Sequence, residues 1–178
     1  QRLVAELGES ADYAGRRKAI AEFNAKSRVV KRGLALTPVK FGISFTKTES
    51  NQAGALVHVY TDGSVHLNHG GTEMGQGLHL KVAQVVAEEF QIDLDRVKIT
   101  ATNTDKVPNT SPTAASSGAD LNGKAAQNAA EIIKQRLVEF AARKYEVSEA
   151  DVEFHNGHVR IRDHILTFEA LIQQAYFA

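Results

Sequence analysis

Eight residues, Gly70-Gly71-Thr72-Glu73-Met74-Gly75-Gln76-Gly77, place four glycines in one short stretch between an apolar run and a helix-like segment. Glycine permits positive backbone angles and lets a ligand approach bare amides. A helix that starts there has first-turn amides without intrahelical partners, and its dipole favours an anion. Gln76 adds an amide able to read the donors and acceptors of a heterocycle. The stretch has no Gly-Lys-Ser/Thr ending, and Gly75-Gln76-Gly77 lacks the third glycine of a dinucleotide fingerprint. A second polar stretch, Thr110-Ser111-Pro112-Thr113-Ala114-Ala115-Ser116-Ser117-Gly118, also precedes a helix. Its hydroxyls suit helix capping or ligand binding, and Ala114 and Ala115 are small enough for a flat ligand to lie on backbone. Phe45-Thr46 closes the alternating run Phe41-Gly42-Ile43-Ser44-Phe45-Thr46. Neighbours on a strand face opposite ways, so both reach one ligand only where the strand ends or bends. Each stretch also has a plainer reading: a connector, an N-cap and a core aromatic.

Seven histidines, with His66, His69 and His79 close together, raise the question of a metal. His66 and His69 fall on different strand faces and nothing matches a zinc spacing, which favours hydrogen-bonded histidine. No Gly-x-Ser-x-Gly elbow of a serine hydrolase occurs.

The elements that must position these stretches belong to a chain of 178 residues, single-domain size and enough to bury about 70% of the unfolded surface. Cysteine is absent, which excludes disulfides, thiolate metal sites and iron–sulfur ligation within the segment and fits a reducing, cytoplasmic setting. Twenty-one basic residues balance 21 acidic ones without a dense basic block, which argues against nucleic acid. No apolar run reaches membrane-spanning length, and no signal peptide is visible. A chain opening on Gln1 reads as a piece of a longer one.

Helical spacing over 10–27 is followed by alternation over 29–46, read as one or two strands broken at Pro38. Residues 55–60 and 64–68 form a hairpin about Asp62-Gly63, with Val57 and Val59 across from Val65 and Leu67. Helices are expected over 77–90 and 119–145, a strand over 97–102, a second hairpin about Asn156-Gly157, and a short helix after Thr167. The fold class is α+β, a mixed sheet with hairpins packed against several helices, in one segment spanning 1–178.

Three ordered stretches carry a resemblance to a known family. They are Lys31-Arg32-Gly33 through Pro38-Val39-Lys40-Phe41-Gly42-Ile43-Ser44-Phe45-Thr46, then Asn51-Gln52-Ala53-Gly54-Ala55 through Gly71-Thr72-Glu73-Met74-Gly75-Gln76-Gly77-Leu78-His79, then Val107-Pro108-Asn109-Thr110-Ser111-Pro112-Thr113-Ala114-Ala115-Ser116. Together they resemble the large, molybdopterin-binding subunit of the xanthine dehydrogenases, a branch of the molybdenum hydroxylases. The resemblance covers about residues 30–120. It implies a molybdenum-molybdopterin cofactor contacted by Met74, Gly75, Gln76, Thr113, Ala114, Ala115 and Ser116. It implies a purine stacked on Phe45, hydrogen-bonded by Thr46 and floored by Ala114 and Ala115. It further implies hydroxylation of hypoxanthine or xanthine to urate, with electrons passing through 2Fe-2S clusters and FAD to NAD.

Those redox groups belong to other parts of the parent protein, including an FAD/iron–sulfur subunit. The family's basic glutamate sits in a Gly-Glu-Pro-Pro motif, and its substrate-facing arginine lies upstream; neither motif occurs here. No catalytic residue is therefore assigned, and the segment alone is expected to be inert. Molybdenum is held by pterin sulfurs in the family, so no protein metal ligand is expected. Leu80 stands where relatives commonly carry threonine. The rival readings are a segment of an aldehyde oxidase-like hydroxylase, a free-standing α+β anion-binding module, and a structural piece whose loops only pack.

Overall fold

The computed structural model describes residues 2–106 and 110–178, and the chain divides into two compact units, Gln1–Gly42 and Ile43–Ala178. In the first unit, α1 (Arg2–Ser10) and α2 (Tyr13–Lys26) replace the single helix expected over 10–27. The break falls at Asp12, which is left-handed (φ 45°), and its carboxylate accepts the Gly15 N–H at 3.2 Å to start α2. Neither helix contains a buried residue.

The strands expected over 29–46 do not form. Among the described residues no segment pairs with this stretch, and a strand without a ladder partner has nowhere to place its amides. Alternating Val39 and Phe41 are 90% and 72% exposed, so the apolar pattern is real but no described residue buries it.

The second unit is built on two three-stranded sheets. β1 (Ala55–Val59) and β2 (Val65–His69) make the antiparallel hairpin, with Val57 opposite Leu67 and Val59 opposite Val65. Gly63 supplies the positive φ of 76° that the turn requires, and Asp62 Oδ1 accepts the Ser64 N–H at 2.9 Å. α3 (Leu78–Phe90) then crosses over, and β3 (Val97–Ile99) pairs parallel to β2. α4 (Gly118–Tyr145) packs along α3; Ala126, Ala130 and Ala141 on its buried face admit close approach.

The second sheet is an antiparallel meander of β4 (Val152–His155), β5 (His158–Ile161) and β6 (His164–Thr167), closed by α5 (Phe168–Tyr176). β6 was not expected; its turn depends on Arg162 at φ 52°, and no glycine or proline marks it. One core joins both sheets, with Phe168 between Phe90 and Phe154 at ring-centroid distances of 5.6 and 6.3 Å. The architecture is α+β, as the pattern of elements implies. No helix among the described residues is long and apolar enough to cross a membrane.

Leu67 is fully buried while Leu56, on the partner strand, is 52% exposed. Leu67→Ala is expected to lower stability by about 2–5 kcal/mol, and Leu56→Ala by at most about 0.5 kcal/mol, in denaturant unfolding.

Candidate functional site

The glycine-rich loop leaves β2 at Gly70 and enters α3 at Leu78. Its shape is fixed by a carboxylate. Glu73 Oε2 accepts the His79 N–H at 3.0 Å, and Oε1 accepts those of Gly75 and Gly77 at 2.9 and 3.0 Å. These bonds, His79's above all, hold the carboxyl below its ordinary range. The anion expected at this helix N-terminus is thus the chain's own side chain. Gln76 is also engaged: Nε2 donates to the Thr72 carbonyl at 2.9 Å, and Oε1 accepts the Met74 N–H at 2.6 Å. One N–H and one lone pair of its amide remain for another group.

The other polar loop behaves differently. Ser117 stands at the N-cap of α4 but makes no side-chain cap bond; its hydroxyl donates to the Ala114 carbonyl at 2.9 Å. Among the described residues, the first-turn amides of this 28-residue helix therefore lack a side-chain cap. The two loops are tied together where the Thr72 N–H donates to Thr113 Oγ1 at 2.8 Å. Between them lies a cleft of about 530 Å³. Met74, Gln76, Thr113, Ala114 and Ser116 line it from the loops, with Leu78, Gly118 and Ala119 at the helix ends. Lys81, one turn into α3, adds a cation. Gly75 and Ala115 are not part of this lining.

Phe45 and Thr46 do not line the cleft either. Ser44 is tied to the Ala114–Ser116 stretch and Phe45 to Asn51: the Ser44 N–H donates to the Ala115 carbonyl at 2.9 Å, and Asn51 holds the Phe45 N–H and carbonyl at 2.9 and 2.8 Å. The bend needed for neighbours to share a ligand falls at Ser44, with φ 73°. Ala115 and Ser116 are left-handed as well, both at φ 53°. Non-glycine residues held in that region cost about 1–3 kcal/mol each and concentrate at ligand sites.

Behind the loop, His69 is 1% exposed. Its Nδ1 accepts the Gly71 N–H at 3.0 Å, so the neutral ring carries its proton on Nε2. That nitrogen and Nε2 of His79 are buried without a partner among the described residues, and the rings meet edge-on at 5.3 Å. Burial first, and the neighbouring His79 second, push the His69 pKa down to about 4. His66 lies on the opposite strand face, 3.1 Å from Thr100 Oγ1. Among the described residues no three His, Cys, Asp or Glu side chains are grouped to hold a metal.

The site includes residues that motif reading passed over. Lys81 lies outside the glycine motif, and only its place one turn beyond Gly77 hinted at it. His69 was read as one histidine among several. Asn122, buried with Oδ1 unpartnered among the described residues, packs against Gly71: a Cβ there would come within 2.6 Å of Leu78 Cδ2 and 2.8 Å of Asn122 Nδ2, so both side chains would have to shift. Val107, Pro108 and Asn109, part of the third resembling stretch, lie outside the described residues.

An uncapped helix end, a lysine and small residues along the cleft can receive a flat ligand with an anionic tail, on an α+β domain. The family description that matches residues 6–178 is "Molybdopterin cofactor-binding domain". The chain belongs to that family. It is 58% identical over 132 residues to a xanthine dehydrogenase/oxidase from Gallus gallus, covering 74% of this chain and 10% of that protein. It is 54% identical over 136 residues to a nicotinate hydroxylase from Emericella nidulans, covering 76% and 10%. A solved Cu,Mo-CO dehydrogenase in its carbon monoxide reduced state superposes with a TM-score of 0.65 at 29% identity, over 71% of this chain and 16% of that one. The chain spans about a tenth of the length of the curated relatives it matches.

Because the folded-state pKa of His69 is depressed, the unfolded chain binds more protons between about pH 4 and 6.5. Stability is therefore expected to be flat above that window and to fall as pH drops through it, by on the order of 3 kcal/mol. The depressed carboxylate of Glu73 adds its loss only below its ordinary value of 4.5. Unfolding free energy against pH checks this, and His69→Asn, whose Oδ1 can still accept the Gly71 N–H, should flatten the window above pH 4.5.

Proposed function

We propose that this chain forms one wall of the pterin and substrate pocket of a xanthine dehydrogenase. The intact protein hydroxylates a purine and passes the electrons to NAD. The observation that carries the reading is the single cleft shared by Met74, Gln76, Thr113, Ala114 and Ser116, with Lys81 and the uncapped end of α4 beside it. The first-turn amides of Gly118 and Ala119, with the Lys81 cation, would hold the anionic end of the molybdopterin. Gln76 offers its remaining N–H and lone pair to the pterin ring, and Gly75 keeps the loop free of side chains on that approach. The bound cofactor supplies the redox and oxygen-transfer chemistry.

On the substrate side, Ala114 and Ala115 floor the purine, Phe45 packs on one ring face and Thr46 hydrogen-bonds its edge. An aromatic contact of this kind adds about 0.5–1.5 kcal/mol beyond area burial. Glu73 is not assigned as base: three loop amides hold its carboxylate, and those bonds lower its pKa and so its affinity for a proton. The base, the 2Fe-2S clusters and the FAD site come from the rest of the parent protein, so this segment is inactive alone. A cytoplasmic setting belongs to the same reading. The similarity to a nicotinate hydroxylase at 54% identity favours a second reading, in which the same pocket wall serves another heterocycle.

Two measurements on the intact parent separate these statements. Lys81→Ala and Gln76→Ala should each lower bound pterin about tenfold at limiting cofactor, the loss of roughly one charge-assisted or well-placed hydrogen bond, with the unfolding midpoint unchanged. Unchanged pterin content in both would remove the cofactor assignment. Xanthine-dependent NAD reduction by a molybdenum-replete sample supports the purine reading. Turnover of nicotinate or an aldehyde without xanthine turnover transfers the pocket to the other substrate.

A further inference from the structure

Among the described residues β1 is an edge strand, paired within its sheet with β2 alone. The direction of its backbone groups follows from the register. The Tyr60 N–H donates to the Ser64 carbonyl at 2.8 Å, which makes that pair a hydrogen-bonded one. Hydrogen-bonded and open pairs alternate along an antiparallel ladder. His58 opposite His66 is therefore bonded across, whereas the N–H and carbonyl groups of Val57 and Val59 point away from β2. A contact independent of the register agrees: the Val59 carbonyl accepts the Tyr176 hydroxyl at 3.0 Å from outside the sheet. The Val57 N–H and carbonyl and the Val59 N–H have no hydrogen-bond partner among the described residues.

A groove of about 660 Å³ runs along this edge. Its apolar floor includes Leu137 and Phe140 of α4 and Ile172 of α5. Arg136 and Arg143, seven residues apart and so on the same face of α4, also line it, and neither has a carboxylate within ion-pair distance among the described residues. Seven residues of helix separate them by about 10.5 Å. On an extended chain, side chains four positions apart share a face and lie about 13 Å apart, a span that two flexible guanidinium groups can meet.

We propose that the β1 edge and this groove form a docking site for an extended acidic polypeptide segment, one that adds a strand to β1. Its same-face pattern is Glu-x-Val-x-Glu, with the apolar side chain over Leu137 and Phe140 and the carboxylates on Arg136 and Arg143. Main-chain bonds to Val57 and Val59 supply register, and the charges supply selectivity. A second copy of this chain is a poor occupant, because a two-fold pairing of β1 with itself would bring the arginines of one copy against those of the other.

The probe is the peptide Thr-Glu-Thr-Val-Thr-Glu-Thr, blocked at both ends, titrated into the isotope-labelled full chain. The expected result is saturable binding that shifts the Val57 and Val59 amides and slows their hydrogen exchange. Replacing both peptide Glu residues by Lys, or making the surface double variant Arg136→Glu, Arg143→Glu, is expected to weaken binding at least tenfold. Equal binding of the acidic and lysine peptides, binding that leaves both amides unmoved, or no saturation by millimolar peptide would overturn the proposal. So would self-association of the chain that protects the same amides.

Discussion

The carboxylate of Glu73 on the amides of Gly75, Gly77 and His79 is the constraint on which the site rests. Four glycines in eight residues have no shape of their own, and a loop so permissive loses much entropy on ordering. Glu73 fixes that shape from inside and closes the N-terminus of α3. One consequence is electrostatic. Glu73 already holds the Gly77 and His79 amides at the start of α3, whereas among the described residues no side chain caps the first-turn amides of α4, and Lys81 lines the same cleft. On the proposed reading, that is where a ligand's negative charge would be received.

The rest of the site is held by bonds between loops distant in sequence. Thr72 reaches Thr113, Ser44 reaches Ala115, and Gln52 and Ser111 bond each other through the Gln52 N–H, the Ser111 hydroxyl and the backbone. His69 supports the start of the glycine loop from the core side by accepting the Gly71 N–H. Strained backbone at Ser44, Ala115 and Ser116 persists because these bonds leave it no relaxed alternative. The buried unpartnered nitrogens of His69 and His79 cost about 1–3 kcal/mol each, and burial within the same core that seats β2 and α3 offsets that.

How much of this was legible in the sequence differs from element to element. The β1–β2 hairpin was readable to within a residue at its strand ends, because Asp62-Gly63 sets the turn and a period of two leaves one burial register. α3 and α4 were readable from their apolar stripes. Residues 29–46 misled for a physical reason: the alternation is present, but no described residue supplies the ladder partner or the surface that would make it a strand. β6 was missed because its turn depends on a left-handed Arg162. At the site, motif reading found the glycine loop and the Thr113–Ser116 stretch, and the structure sets them on one cleft. It assigned the α3 amides to a ligand when Glu73 holds them, and it passed over Lys81 and the support from His69, since neither contact between distant residues leaves a pattern along the chain.

The most direct test of this account is where the anionic end of the cofactor sits when the parent protein is loaded. A crystal structure of the molybdopterin-bound form locates it. The account predicts the terminal phosphate within hydrogen-bond distance of the Gly118 and Ala119 amides and near Lys81 Nζ, with the Glu73 carboxylate still on Gly77 and His79. A phosphate on the amides of α3, with Glu73 displaced, would contradict it.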